Sequence, residues 1–194
     1  MTRSGRAGIA ALIIPALAAG ILLAMGRPPI CICGTVALWG PAGPTQSQML
    51  ADWYSPSHVV HGLVFYALLW LVARHMPVER RFLFALGVEA LWEIVENTPM
   101  TIDRYRTATA ALGYSGDSVV NSLSDIAMMA IGFLAARKLP LWAGVALLIA
   151  LEVVPLLVIR DNLALNVWML IAPNDALRDW QSAAALAAWH LGGR

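Results

Sequence analysis

Charged residues are scarce in this chain of 194 residues. They make up 13% of it, hydrophobic residues make up 59%, and Lys138 is the only lysine. Soluble domains are about 25% charged and about 45–50% apolar. So few charges cannot cover a water-facing surface, which excludes an ordinary soluble domain. The sequence predicts an all-α bundle of membrane-spanning helices, with residues 1–194 as a single integral-membrane domain and the lipid bilayer as its partner.

A surplus of positive charge is also missing. The formal net charge is +1 at pH 7, and no basic tract is present. Nucleic acids attract proteins through clustered lysine and arginine, so we expect no nucleic-acid partner. Protein partners are not specified by the composition.

Cysteine is nearly absent, with only Cys31 and Cys33. A disulfide between alternate residues would be strained, and two thiols alone do not make a zinc site. We expect incidental residues here, with an oxidised or metal-contacting pair as the alternative.

Five apolar runs have lengths suited to the roughly 30 Å hydrocarbon core of a bilayer. They cover residues 7–25, 57–75, 81–97, 117–136 and 141–159. The first run competes with a signal peptide, since Ala16-Leu17-Ala18 has the small-x-small form of a cleavage site. Because Ile21-Leu22-Leu23 continues the run beyond that point, we expect an uncleaved span.

The segments between and after the apolar runs have a different composition. Residues 26–56 are broken by proline and glycine and are predicted to form a loop, as are residues 100–116. The tail, residues 160–194, is too short or too polar in its parts for a sixth crossing. It is predicted to form helices on the surface.

Arginine and lysine are distributed unevenly between the two sides of the predicted bundle. One side collects Arg3, Arg6, Arg74, Arg80, Arg81, Arg137 and Lys138. The other side has, next to the helices, Arg27, Arg104, Arg106 and Arg160. Cytoplasmic loops carry the excess of positive charge, most clearly when they are short. The N-terminus is therefore predicted to be cytoplasmic and the C-terminus to lie outside.

Polar residues recur at helical spacing in three of the predicted spans. The second span has His58 and His61, at i and i+3. The third has Glu89, Glu93 and Glu96, at i, i+4 and i+7. The fourth has Asp117, Asn121 and Asp125, at i, i+4 and i+8. Each set lies on one face of its helix, and the predicted orientation puts most of them in one layer at the outer end of the bundle.

Acidic residues within the predicted spans need a physical reason. An acid at the bilayer centre costs about 2.5–3.5 kcal/mol on insertion scales. Glu89, Asp125 and Glu152 are the deepest, so each is expected to face the bundle interior and to have a partner.

A structural polar network is one interpretation of this layer. In it, Arg104 or Arg106 folds back onto Glu96 or Asp117. Asn121 then bridges two helices.

A site is the other interpretation, and it has two forms. Imidazole and carboxylate ligands suit a divalent ion such as zinc, iron or manganese, and the candidates are His58, His61, Glu93 and Glu96. In a metal-free site, Glu93 or Asp117 acts as general base and His58 or His61 shuttles the proton. The substrate-binding candidates are Arg104, Arg106, Asn121 and Glu96, with the arginines holding an anionic head group.

Three strings carry a resemblance to a known family: SPSHVVHGLVFYALLWL, LWEIVENTPMTIDRYRTATAALGYSGDSVVNSLSDI and RDNLALNVWMLIAP. They resemble an uncharacterised family of bacterial multi-pass inner-membrane proteins of unknown function. The resemblance covers about residues 52–181. It implies a location in the bacterial plasma membrane and no established activity.

A weaker resemblance is to the VanZ-like membrane proteins. Their pattern has a histidine entering one span, a late glutamate in the next, an arginine, and Asp-x-x-x-Asn opening the following span. The matching residues are His58 or His61, Glu93 or Glu96, Arg106, and Asp117 with Asn121.

Two classes of function remain open on the sequence. One is an enzyme that acts at the outer face of the inner membrane on a lipid-linked or envelope substrate. The other is a non-catalytic scaffold or assembly factor whose polar layer fixes the helix packing.

Overall fold

The computed structural model describes residues 3–41, 43, 45–110 and 113–192, and the side chains of those between 7 and 183. These residues form eight α-helices and no β-strand, in agreement with the predicted all-α class. The helices are α1 Arg3–Ala24, α2 Ser55–Val72, α3 Val78–Glu96, α4 Pro99–Ala108, α5 Val119–Lys138, α6 Leu141–Ile159, α7 Leu163–Ile171 and α8 Asp175–Gly192. The side chains of Arg3 and Arg6, counted for the orientation, lie outside the described part.

Four segments are long and apolar enough to cross a membrane: Ala7–Ala24, Ser55–Val72, Val119–Lys138 and Leu141–Ile159. They correspond to four of the five predicted spans. The third predicted span, now α3, does not qualify because its 19 residues include six charged ones: Glu79, Arg80, Arg81, Glu89, Glu93 and Glu96. Four of the five predicted spans are therefore apolar helices of sufficient length, and the third corresponds to the charged helix α3.

Helix α3 nevertheless runs through the bundle beside α1. Near the start of both helices, Ala7 and Gly8 border the same small cavity as Val78 and Phe82. Two to three turns further on, Ala18 is buried among core residues of α3. At 1.5 Å per residue α3 is about 28 Å long, so it matches the apolar helices in length.

The core joins α1, α3 and α5 through small side chains and one large ring. Its buried members are Ala18, Ala85, Leu86, Ala90, Ile126, Met129 and Phe133. Tyr66 and Phe82 pack edge-on against Phe133, with ring centroids 5.2 and 5.3 Å away. The alanines let the helix backbones approach closely, which is how helices pack inside a bilayer.

Helices α2 and α5 make the closest approach, at Gly62 and Gly132. A Cβ added to Gly62 would overlap the carbonyl oxygen of Met129, and one added to Gly132 would overlap that of Val59. Glycine is therefore required at both positions. The two helices run parallel, since Ser55 at the start of α2 contacts Asp125 one turn before Met129.

The predicted loop 26–56 contains no helix in its described residues before Ser55, where α2 begins, and it folds over the start of α5. Helix N-termini have unpaired N–H groups. Here Pro28 and Pro29 accept hydrogen bonds from the backbone N–H groups of Val119 and Val120. Ser118 caps the helix, because its Oγ accepts from the Asn121 N–H. The loop thus forms a roof over the end of the bundle.

The predicted loop 100–116 is wrong in its first half, which forms α4. Thr98 is the N-cap, with its side chain accepting from the Thr101 N–H, and Pro99 follows at the first position. Proline fits there because that N–H has no helical partner. The available sequence signal is the Thr98-Pro99 pair, because threonine is a common N-cap residue and proline is common at the first helical position.

The tail forms α7 and α8. Neither is among the candidate spans in the described residues. Helix α7 packs on α4, where Tyr105 donates a hydrogen bond to Asn166. Helix α8 contacts α6.

Cys31 and Cys33 are joined as a disulfide in the roof loop. The expectation of incidental thiols is therefore wrong, and the oxidised alternative describes the pair. Alternate residues can meet here because the chain turns at this point, with the Gly34 N–H donating to the Cys31 carbonyl.

Candidate functional site

The polar stripes of α2, α3 and α5 meet at the roofed end of the bundle. They border a cavity of about 340 Å³. Six acidic residues line it: Asp52, Glu89, Glu96, Asp117, Asp125 and Asp161. His58, His61 and Asn121 line it as well. The cavity therefore brings together most of the residues that the sequence singled out.

Glu89 binds both histidines of α2. Its Oε1 lies 2.7 Å from Nδ1 of His58, and both of its oxygens lie 3.1 Å from Nδ1 of His61. An ionised carboxylate only accepts hydrogen bonds, so each Nδ1 carries the proton. The Nε2 atom of each ring is then free to accept a proton or bind an ion. The deep acid Glu89 thus has the interior partners that its position required.

Asp125 comes from α5 to the other side of His58. Its Oδ2 lies 3.8 Å from Nε2 of His58, and its Oδ1 accepts a hydrogen bond from Ser55 Oγ at 3.3 Å. The close packing at Gly62 and Gly132 brings these groups together, because His58 lies one turn before Gly62 on the same helix. Helix packing therefore sets the geometry of the site.

Glu93 is a buried acid of the cluster without a hydrogen-bond partner among the described residues. It is 0% exposed, and neither carboxylate oxygen has a hydrogen-bond partner. Its nearest ionic neighbour is Nδ1 of His58, 3.5 Å from Oε1, which already donates to Glu89. Such a group is costly in a protein interior unless something else satisfies it.

Asp117 precedes α5 and is fixed by Asn97, which follows α3. Asn97 Nδ2 donates to Asp117 Oδ2 at 2.7 Å, and the Asp117 N–H donates to Asn97 Oδ1 at 2.7 Å. Tyr114 donates to Oδ1 at 3.1 Å. Burial raises the pKa of Asp117 to about 6, although the hydrogen bonds from Asn97 and Tyr114 lower it. With both oxygens occupied, Asp117 connects α3 to α5 more readily than it serves as a free base.

Asn121 and Glu96 both line the cavity but differ in their surroundings. Asn121 Nδ2 donates to the Met49 carbonyl at 2.9 Å, which ties the roof loop to α5. Glu96 lies near Glu93 and Asp117, with one ligand atom of each within 4.8 Å of the others. The predicted role of Asn121 in bridging helices is replaced by a bridge from helix to loop.

Arg104 and Arg106 do not reach the cavity. Arg104 donates to the Leu170 carbonyl, and Arg106 donates to the Tyr114 carbonyl. Their predicted contacts with Glu96 or Asp117 are absent from the described residues, because α4 directs both side chains toward the tail and the following loop. Arg27 approaches instead, donating to the Ser115 and Asp117 carbonyls.

Tyr54 and Asp161 form a second polar contact on the cavity wall that sequence reasoning missed. Tyr54 OH donates to Asp161 Oδ2 at 2.8 Å, and Gln181 Nε2 donates to Oδ1 at 3.0 Å. Burial, together with the charge of Asp161, raises the pKa of Tyr54. Burial also raises the pKa of Asp161. No short-range pattern connects residues 107 positions apart, so only the sequence Arg160-Asp161-Asn162 at a helix end was available as a signal.

Asp52 is another missed residue, and its role is structural. Its Oδ1 accepts from the N–H groups of Tyr54 and Ser55, and its Oδ2 accepts from that of Ser47. It thereby satisfies the start of α2. An Asp shortly before Ser55-Pro56 is the available sequence signal.

Glu152, the third deep acid, lies away from the cluster. Its Oε2 accepts from the Ala164 N–H at 3.1 Å, and its carbonyl accepts from Asn162 Nδ2. It therefore holds the turn between α6 and α7.

Part of the remaining cavity wall is apolar. Phe65 on α2 and Trp92 on α3 face it, and Val88, Val158 and Val167 line it while remaining exposed. α2 contacts both α3 and α6. The cavity therefore has a charged end under the roof loop and an apolar end between α3 and α6.

The charge in the cavity is strongly unbalanced. Six lining acids and Glu93 face two histidines, and no lysine or arginine belongs to the described lining. An excess of negative charge in a site of low dielectric favours cations and protons.

These features define an all-α bundle of apolar helices with a buried histidine–carboxylate site. A family model described as "Protein of unknown function (DUF2585)" matches residues 22–183, and the chain belongs to this family.

Relatives in several bacteria cover nearly the whole chain. A UPF0314 protein of Agrobacterium fabrum is 53% identical over 165 residues, covering 84% of this chain and 83% of the relative. One of Paracoccus denitrificans is 52% identical, covering 90% and 91%. One of Sphingopyxis alaskensis is 50% identical, covering 94% and 97%. The expected membership of an uncharacterised bacterial family is confirmed.

The comparisons do not show the weaker resemblance to VanZ-like proteins. No solved structure matches this chain.

Proposed function

We propose that this protein is an enzyme of the bacterial inner membrane that acts on the polar head of a lipid-linked substrate. The observation that carries the proposal is the two-ended cavity. Buried ionisable groups lie at one end, and exposed apolar residues of α3 and α6 frame the other. An amphiphilic molecule fits such a cavity, with its chain in the bilayer and its head beside His58 and His61.

The histidines supply the chemistry in this proposal. Glu89 orients both rings through Nδ1, which leaves Nε2 of His61 directed to accept and return a proton. This pairing replaces the earlier assignment of Asp117 as base, since both oxygens of Asp117 already accept hydrogen bonds. Glu93 remains a candidate through its free carboxylate.

The site faces the outside of the membrane in this proposal. The distribution of arginine and lysine supports a cytoplasmic N-terminus. The Cys31–Cys33 disulfide supports it too, because the roof loop then lies in an oxidising compartment. Helix α3 provides a fifth crossing, in which the charged residues Arg81, Glu89 and Glu93 are buried.

Complementation of a deletion strain tests the proposal. In a bacterium that encodes a relative, loss of the gene is expected to accumulate one class of lipid-linked molecule, detected by mass spectrometry of lipid extracts. His61→Gln is expected to reproduce that accumulation at normal protein yield. His75→Gln, which changes an exposed histidine at the other end of α2, is the matched control.

Full complementation by His61→Gln and Glu89→Gln would contradict the enzyme proposal. Loss of function that always accompanies loss of folded protein would favour the scaffold instead. The reciprocal Asn97–Asp117 contact gives that alternative its structural basis.

A further inference from the structure

We propose that His58, Glu93 and Asp125 bind a divalent transition-metal ion inside the bundle. The inference deepens the proposed function. Metal binding itself does not depend on that function, but a catalytic use of the ion rests on it. The first observation behind it is the missing counter-charge. Six acids and two histidines line the cavity, Glu93 lies beside them, and the described lining contains no lysine or arginine. A cation offsets this charge.

The second observation is Glu93 itself. Its carboxylate is 0% exposed and has no hydrogen-bond partner among the described residues. Its neighbours differ from it: both oxygens of Glu89 accept from imidazoles, and one oxygen of Asp125 accepts from Ser55. A carboxylate that binds a metal ion needs no hydrogen-bond donor from the protein. The lack of a donor at the buried Glu93 therefore agrees with a role as a metal ligand.

The geometry suits one ion. One ligand atom each from His58, Glu93 and Asp125 lies within 4.8 Å of the other two, and all three residues are buried. Atoms bound at about 2.0–2.2 Å to one tetrahedral ion are separated by roughly 3.3–3.6 Å. Small rotations of the two carboxylates would close the remaining distance.

His58 is already oriented as a ligand. Its Nδ1 donates to Glu89, and its Nε2 lies 3.8 Å from Asp125 Oδ2. Metal-bound histidines usually donate their other ring N–H to a carboxylate, which fixes the ring and increases its basicity. Glu89 therefore acts as the supporting carboxylate, one layer behind the ion.

Two neighbouring groups are weaker candidates. In the group of His58, His61 and Glu89, both Glu89 oxygens already accept from the imidazoles. In the group of Glu93, Glu96 and Asp117, Asp117 is held by Asn97 and Tyr114. Only the group of His58, Glu93 and Asp125 contains an unsatisfied carboxylate and a free imidazole nitrogen.

The ligand set indicates the class of ion. One imidazole and two carboxylates suit manganese, iron or zinc, whereas copper(I) prefers sulfur ligands. Calcium and magnesium prefer oxygen ligands alone, so the histidine disfavours them.

Metal analysis of the full-length protein purified in detergent tests the inference. Cells are grown with manganese, iron and zinc salts, and bound metal is measured by mass spectrometry. We expect about one ion per chain in the wild type, bound by His58, Glu93 and Asp125. Glu93→Gln and Asp125→Asn are each expected to lower this ratio by about tenfold or more. Glu79→Gln, an exposed acid on the same helix, is expected to leave it unchanged.

A second measurement covers the case in which a variant folds poorly. The thermal unfolding midpoint of the wild type is expected to fall when a chelator removes the ion and to recover when Mn²⁺ or Zn²⁺ is added. Glu93→Gln is expected to be insensitive to both. A wild-type protein that neither retains nor rebinds these ions overturns the inference, as does undiminished binding by Glu93→Gln.

Metal binding is measured without reference to catalysis, so the two proposals fail separately. Absence of metal together with failed complementation by His61→Gln overturns the metal site alone. Metal binding together with full complementation by His61→Gln and Glu89→Gln supports the site and contradicts the enzyme.

Discussion

Oε1 of Glu89 lies 2.7 Å from Nδ1 of His58, although 31 residues separate them in the chain. The contact fixes the His58 ring between α3 and α5. Replacing Glu89 by Gln is expected to weaken Mn²⁺ binding by about 10–100-fold, the usual effect of losing a supporting carboxylate. Titration of the metal-free protein with Mn²⁺ measures this. Glu79→Gln is the control, and equal affinities for Glu89→Gln and wild type would contradict the role of Glu89.

The close approach of α2 and α5 predicts strong sensitivity at two glycines. Gly62→Ala and Gly132→Ala each place a Cβ against the backbone of the other helix. Each is expected to destabilise the protein by at least about 1–3 kcal/mol, the usual cost of overpacking. Thermal unfolding in detergent measures the effect. Gly87→Ala and Gly144→Ala, where a Cβ meets nothing within 4 Å, should keep the wild-type midpoint.

Lateral entry of the substrate predicts an effect of filling the opening between α3 and α6. Val88→Trp adds a large ring at an exposed position of the cavity wall. It is expected to lower complementation several-fold at normal protein yield. Leu91→Trp, at an exposed position of the same helix outside the cavity lining, should complement fully. Equal behaviour of the two variants would argue against this entry route.

The buried Asp161 predicts a pH dependence of stability. Burial raises its pKa in the folded protein above the ordinary value of about 4. The folded state therefore binds this proton more tightly than the unfolded state does. The associated stability is fully present below about pH 4 and is lost as the pH rises through the raised pKa.

Asp161→Asn removes this contribution. As the pH rises from 4 to about 7, the thermal unfolding midpoint of the wild type is expected to fall relative to that of the variant. Thermal unfolding in a series of buffers measures it. Asp175→Asn, at a side chain that is 84% exposed, should follow the wild type at each pH. A pH-independent difference for Asp161→Asn would contradict the raised pKa.

The charged helix α3 predicts a topology that reporter insertions can test. If α3 crosses the membrane, alkaline phosphatase is inactive when inserted between residues 75 and 76, and active between residues 109 and 110. The enzyme requires an oxidising compartment for its disulfides. Matching activities at the two positions would exclude the fifth crossing.

Sequence alone determined the class of the protein and the location of its polar residues. Apolar runs of suitable length identified four of the helices, because hydrophobic length is a local property. Helical spacing placed His58 with His61, and Glu89 with Glu93 and Glu96, each set on one face. The helix α4 was missed because a polar segment of ten residues carries little apolar periodicity, and its stability comes from packing on α7.

Only the tertiary structure decided which polar residues act together. Periodicity gives the face of a helix but not its neighbour, so the pairing of Glu89 with both histidines could not be predicted. The same holds for the contacts of Arg104 and Arg106 outside the cavity, and for the lack of a hydrogen-bond partner at Glu93 among the described residues. The physical reason is the packing of the helices, such as the contact of Gly62 with α5. This packing sets the distances between side chains across the cavity, and it has no local signal in the sequence.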